Sequence, residues 1–283
     1  MKSHNKTFSV LGGDKRSYYL AKALAKDGYK VTLAGFDTLT DNSSNLQNAL
    51  AGDVLIFPVV PFSEGKILTT KFSNTPLDLA GQDELLVGKT IFTGKKEVFL
   101  REFPILEDNV FSYSDREIFS VQNAVPTAEG AITEAILNSD KTLNGSKVLV
   151  CGYGRIGKVL SEMLRGIGAE VTVSARKSSD LAWIKLNGFL GTVTGEFSEI
   201  ERFDYIFNTV PALVFNKENL SLMKDDVLLI DLASAPGGVD FKMAKNLGVR
   251  AIHALALPGK YSPRSAGEII ESTILTILKE EDG

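Results

Sequence analysis

Glycines 152, 154 and 157 follow the apolar run "KVLVC" and open the helical stretch "RIGKVLSEMLRGIG". A dinucleotide-binding turn requires that setting: Gly152 makes the tight turn, Gly154 lets the backbone approach a pyrophosphate, and Gly157 lets the helix pack on the strand. Tyr153, Arg155 and Ile156, between the glycines, belong to the same cofactor-binding turn. A glycine turn that serves packing alone is the competing reading.

The next strand, "EVTVSAR", ends where an acidic residue would bond the adenosine ribose of NAD. Ala175 stands there and cannot do so. Arg176 and Lys177 place positive charge where a 2'-phosphate would sit, and Ser174 offers a hydroxyl. The expected cofactor is NADP, with NAD the alternative and solvated loop charges the bland reading. Ligands bind outside the carboxyl ends of parallel strands, so "NTVPA" (208–212), "DLASAPGG" (231–238) and "ALALPGKYSPRSAG" (254–267) are expected to line the rest of the site as loops. Thr209, Val210, Pro211, Leu232 and Ala233 are its candidate residues.

Other chemistry is sparse. His4 lies in the polar N-terminal stretch, and His253 sits within "AIHALAL", where a satisfied strand histidine is the commoner outcome. No cysteine and histidine cluster suggests a metal, and no basic, aromatic stripe suggests nucleic acid. The single cysteine, Cys151, ends an apolar run, which reads as a buried strand end in a reducing compartment. Lacking an apolar stretch of about 18 residues or a signal-peptide core, the chain reads as cytoplasmic, with no membrane partner.

These residues need a scaffold, and 283 residues suffice for two domains. Hydrophobic residues at 44% and charged residues at 23% exclude a disordered chain, and a net charge of −4 gives no global field for nucleic acid or anionic membranes. Apolar runs alternate with amphipathic stretches, the pattern of a parallel sheet covered by helices on both faces. Strands are expected at 7–11, 30–34, 53–57, 90–93, 98–100 and 110–113, then at 147–151, 170–174, 190–193, 204–208, 227–231 and 250–255. The fold class is α/β, with two Rossmann-like doubly wound domains joined by two helices around an interdomain cleft.

Domain one is expected at 1–125, completed by a C-terminal helix at 266–283, and the NAD(P)-binding domain at 141–265. The linking helix, 126–140, starts at Pro126 and Thr127 and stops near Asn138, with Glu129 and Glu134 toward its favourable N-terminal part. In the C-terminal helix, Ile269, Ile270, Ile274, Ile277 and Leu278 share one side.

At an offset of 140 residues, Val10, Gly12, Leu20, Leu24, Gly28, Val31 and Thr32 fall on Val150, Gly152, Leu160, Leu164, Gly168, Val171 and Thr172. Two copies of one strand-turn-helix-strand unit would explain this; so would the apolar positions and turn glycines any two such units share. In the first copy Asp14 and Ser17 replace the second and third glycines. A carboxylate there would repel a pyrophosphate, so the first domain is expected to lack a dinucleotide site.

Together "VCGYGRIGKVL", "VPTAEGAI" and "LPGKYSPRSAGEII" resemble the family of the dehydrogenase-like A-subunit of dipicolinate synthase through nearly the full chain, the last motif being the most specific. The first two motifs are shared more widely, with adenosylhomocysteine hydrolases and D-2-hydroxyacid dehydrogenases. The resemblance implies a two-domain NAD(P)-dependent oxidoreductase in the mother cell of a sporulating bacterium, working with the flavoprotein-like B-subunit of the same synthase. It implies 4-hydroxy-tetrahydrodipicolinate, or the dihydro compound formed by losing water, as substrate, and dipicolinate as product. A homo-oligomer is the expected assembly.

Such a reaction needs a hydride acceptor, carboxylate clamps and a proton acceptor. Lys260 and Arg264, flanking Ser262 in a loop expected to enter the cleft, are candidate clamps, with Arg16 facing them. Asp14 is a candidate proton acceptor, and water an alternative. The absence of a clear histidine and acid pair argues against an ordinary 2-hydroxyacid dehydrogenase. Two other readings stay open: a different NAD(P)-dependent amino or hydroxy acid dehydrogenase, and a non-catalytic nucleotide-sensing protein.

Overall fold

Two six-stranded parallel sheets, wound in the same order, organise the chain. The computed structural model describes residues 6–197 and 199–281, so His4 and the last two residues of the expected C-terminal helix lie outside the described residues. One unit comprises residues up to Asn123 together with those from Ser262 onward; the other spans Ala124–Tyr261.

The first unit runs β1 (Thr7–Leu11), α1 (Lys15–Lys26), β2 (Lys30–Ala34), β3 (Ser43–Ser44), α2 (Leu46–Leu50) and β4 (Val54–Ile56). A hairpin follows, β5 (Phe62–Glu64) and β6 (Ile67–Leu68), then α3 (Asp83–Leu86), β7 (Thr90–Thr93), α4 (Lys96–Glu102) and β8 (Val110–Ser112). Its sheet order is β3-β2-β1-β4-β7-β8. After the long helix α5 (Glu117–Leu137) come β9 (Lys147–Cys151), α6 (Arg155–Ile167), β10 (Glu170–Ala175), α7 (Ser178–Leu186), β11 (Leu190–Val193) and β12 (Tyr205–Asn208). The second unit continues with α8 (Lys217–Ser221), β13 (Leu228–Asp231), α9 (Phe241–Asn246), β14 (Arg250–His253) and α10 (Leu257–Tyr261). Its sheet order is β11-β10-β9-β12-β13-β14, and α11 (Pro263–Glu281) packs on α1 in the first unit.

Alternation along the strands explains the two-sided burial. Val148 and Val150 of β9 enter one apolar cluster while Leu149 and Cys151 enter the other, as a period of two dictates for a sheet covered on both faces. The Cys151 thiol is buried, which pushes its pKa up to about 12 and leaves it inert. The repeat extends to the elements themselves. Thr7 and Lys147 open the first strands, Lys15 and Arg155 the first helices, Lys30 and Glu170 the second strands, each pair 140 residues apart.

Three expectations are corrected. Residues 98–100 are helical, because Phe99 and Phe103, one turn apart, both pack beside Phe62. The linking helix starts at Glu117, and Pro126 lies inside it. Burial of Ala128, Ala131 and Ala135 along one face accompanies this unbroken helix, and Glu129 and Glu134 therefore lie within it rather than at its N-terminal end. Residues 257–267 form no loop: Pro258 and Pro263 occupy first turns, where a missing N–H costs nothing, and α10 and α11 result.

Candidate functional site

The carboxyl end of β9 delivers the glycine turn, and each glycine there answers a different need. Gly152 has φ +100°, a left-handed conformation, and its N–H donates to Ser174 O at 3.0 Å. A Cβ on Gly157 would collide with Gly152 O, so the helix can rest on the turn only without a side chain. At Gly154 a Cβ would meet nothing within 4 Å. That open space at the N-terminus of α6, a 13-residue helix, fits a pyrophosphate approaching the backbone amides and the positive end of the dipole.

A cavity of about 250 Å³ opens there, lined by Gly152 to Gly154, Ala175 to Lys177 and Thr209 to Pro211, with Asp180 and Thr194. Nine sequence-predicted residues thus come together. Six do not line it: Arg155, Ile156, Gly157, Ser174, Leu232 and Ala233. Ile156 packs against the core, and the Ser174 hydroxyl is buried against Thr194 Oγ1 at 2.9 Å, so it is no donor to a phosphate. Leu232 and Ala233, the first residues after β13, are buried. Ala175 is buried at the strand end while Arg176 and Lys177 are exposed beside the first turn of α7.

Sequence reasoning missed Asp180 and Thr194, which lie past the ends of β10 and β11 rather than at them. Asn208 and Asp231, both fully buried, open the expected segments 208–212 and 231–238 but were not singled out within them. The signal was present: β12 and β13 are apolar runs, "YIFN" and "LLID", that each finish on a polar residue.

In the first unit the equivalent turn is filled by the protein itself. Gly13 N donates to Thr69 O at 2.7 Å and Lys71 N donates to Gly13 O at 3.1 Å, so the chain after β6 covers the place of a pyrophosphate. Asp14 caps α1 by accepting from Arg16 N at 2.9 Å, and the Arg16 guanidinium holds the same carboxylate through Nε and Nη2. Burial pushes the Asp14 pKa up, but the Arg16 bonds and charge outweigh it and hold the carboxyl below its usual range.

The other charged candidates are also paired. Lys260 Nζ donates to Glu134 Oε1 at 2.6 Å, and Arg264 Nε to Glu268 Oε1 at 3.0 Å. Ser262 lies between α10 and α11. His253 Nε2 sits 3.2 Å from Ala233 O, its ring against Phe241. Among the described residues no cluster of histidine, cysteine and acidic side chains could hold a metal, and no helix is long and apolar enough to cross a membrane.

Known proteins share the fold and, in part, the sequence. Residues 7–104 match the model for the N-terminal domain of the dipicolinate synthase A-subunit, and residues 116–257 that for the NAD binding domain of D-isomer specific 2-hydroxyacid dehydrogenases. The chain is 31% identical to the dipicolinate synthase A-subunit of Bacillus subtilis over 96% of its own length and 95% of that protein. It superimposes on the crystal structure of the dipicolinate synthase A-subunit from Bacillus halodurans with a TM-score of 0.86 and 29% identity, covering 96% of this chain and 97% of that one. A transhydrogenase from Sinorhizobium meliloti, 15% identical with a TM-score of 0.69 over 97% of this chain and 93% of that one, shares the fold.

Proposed function

The chain belongs to the dipicolinate synthase A-subunit family, and on that premise we propose that it forms dipicolinate with NADP as hydride acceptor. The substrate in this reading is 4-hydroxy-tetrahydrodipicolinate, or the dihydro compound left when water is lost. The carrying observation is the open turn at Gly154 with Arg176 and Lys177 beside it where the ribose-binding acid is missing.

The hydroxy compound first loses water; the dihydro ring then gives up a hydride and a proton and becomes aromatic, so the chain's task is chiefly positioning. Bound NADP supplies the hydride acceptor. The amides at the start of α6 hold the pyrophosphate, Arg176 and Lys177 the 2'-phosphate, and Thr209 to Pro211 the far wall. For the substrate carboxylates we assign Arg16, which leaves Nη1 outside its bonds to Asp14, and Arg264, whose pair with Glu268 is exposed and exchangeable. Lys260 and Ser262 are secondary candidates. Asp14, held ionised by Arg16, is a poor proton acceptor, and we assign the proton to water. The flavoprotein-like B-subunit as partner, a homo-oligomeric assembly and action in the mother-cell cytoplasm complete the proposal.

Mixing the purified chain with substrate, NADP or NAD, and the B-subunit, and following dipicolinate by its ultraviolet absorption, tests this. Product with NADP is expected; no product in any combination would sink it.

A second reading, a nucleotide-sensing protein whose redox centre lies in its partner, is favoured by one observation. The candidate proton acceptor Asp14 is engaged by Arg16, and the ring of His253 by Ala233. Single-turnover reduction of bound NADP by the isolated chain would exclude it. A screen of amino and hydroxy acids separates the third possibility, a different dehydrogenase, to which the match of residues 116–257 gives support.

A further inference from the structure

Asp231 ends β13 with no exposed surface, yet no step of the proposed reaction uses it. Its Oδ1 accepts from Asn208 Nδ2 at 2.7 Å and from Ala233 N at 3.1 Å, and its Oδ2 accepts from Gly238 N at 2.9 Å. Three N–H donors converge on one buried carboxylate, which is the way a fold makes an internal charge tolerable.

The partner that matters is Asn208, at the matching end of β12. Its Nδ2 also donates to Val210 O at 3.0 Å and its Oδ1 accepts from Val210 N at 3.2 Å, so one side-chain amide grips both backbone groups of Val210. Val210 lines the dinucleotide cavity between Thr209 and Pro211. Gly238 closes the wedge from behind: a Cβ there would stand 2.6 Å from Val210 O and would overlap Asn208 Nδ2.

Strand order fixes which part of the cavity this is. β10, with Ala175 to Lys177 at and beyond its end, lies on one side of β9, and β12 lies on the other. A dinucleotide with its adenosine ribose beyond β10 and its pyrophosphate on the β9 turn extends its second half toward β12. From this geometry we infer that Asp231 is a positioning residue: acting through Asn208, it holds the Val210 wall against the nicotinamide half of the cofactor and leaves the adenosine half untouched. The inference rests on the cofactor reading proposed above.

Asp231→Asn keeps the shape but faces three donors with a single acceptor oxygen. Asn208→Ala removes the grip on Val210 directly. Both variants and the parent chain are titrated calorimetrically with NADP and NAD, and with 2',5'-ADP and 5'-AMP, which fill only the adenosine half. For both variants we expect the dinucleotide bound by the parent to weaken by about ten-fold or more, the effect of misaligning a charge-assisted network. The matching adenosine fragment is expected to change by less than about two-fold. Parallel loss of dinucleotide and fragment, including through failure of both variants to fold, or no loss of either, overturns the inference. If the parent chain binds neither dinucleotide, the cofactor reading itself has failed, an outcome separate from the first.

Discussion

Glu134, within α5, accepts the Lys260 ammonium of α10 at 2.6 Å, and the neighbouring Tyr261 hydroxyl donates to the same oxygen at 2.9 Å. Gly130, one turn earlier, lets α10 approach, since a Cβ there would stand 2.7 Å from Leu257 Cβ. Two of the motifs that carry the family resemblance thus meet as a helix junction. Burial pushes the Glu134 pKa up, but the bonds from Lys260 and Tyr261 outweigh it and keep the carboxylate ionised.

Lys260 is 56% exposed in this pair, so its loss costs little. Lys260→Met is expected to lower unfolding stability by no more than about 1 kcal/mol. Glu134→Gln, which disturbs three bonds at a nearly buried site, is expected to cost about 1 to 2 kcal/mol. Urea denaturation measures both. A substrate KM for Lys260→Met within about two-fold of the parent's confirms a junction role; a clamp on a substrate carboxylate would give about ten-fold or more.

Gly154 and Gly157 are expected to separate binding from folding. Gly154→Ala puts a methyl into open space at a residue with φ −80°, so the melting temperature is expected to hold while cofactor affinity falls sharply. Gly157→Ala forces a methyl onto Gly152 O and is expected to destabilise the chain by about 1 to 3 kcal/mol. Thermal melts with and without NADP distinguish the two, and equal melting losses would refute the division.

In the proposed reading Arg176 carries the choice of cofactor. Arg176→Ala is expected to weaken NADP binding by about 1.5 to 3 kcal/mol, the worth of a hydrogen bond to a charged group, while sparing NAD. Fluorescence titration with each nucleotide decides it; equal losses would move the 2'-phosphate elsewhere, and the alternative would be a site that reads only the shared part of both cofactors.

What the sequence made legible follows from local rules. The glycine turn at 152–157, the strands around it and the doubled unit were readable because strand alternation and turn chemistry act over a few residues. The course of α5 through Pro126 was not, since packing of Ala128, Ala131 and Ala135 outweighs a local helix breaker. Nor were the partners of the charged candidates. Glu134 and Lys260 are 126 residues apart, and Asn208 and Asp231 are 23 apart on adjacent strands. Sequence patterning marks such residues as polar and says nothing of what they meet. The filling of the first unit's turn by Thr69 to Lys71 was hidden for the same reason: it is a backbone contact, made through N–H and C=O groups that every residue carries.

Glu271 makes the stability of the chain depend on pH. It lies on α11 against the C-terminal end of α1, 8% exposed, and its Oε1 is buried without a hydrogen-bond partner among the described residues. Burial, then the nearby Asp27 carboxylate and Glu268, push its pKa up to about 7, with Lys279 opposing. A carboxyl raised in the folded state favours the protonated form, so its stability is full below the unfolded value near 4.5 and is lost as pH rises toward 7. The loss levels off about one pH unit above 7. Glu271→Gln removes the ionisation and keeps the shape. It is expected to stabilise the chain at pH 8 by on the order of 2 to 3 kcal/mol and to leave it nearly unchanged at pH 4.5. Urea denaturation at the two pH values measures the difference, and a gain of equal size at both would show that packing, rather than the buried charge, governs this position.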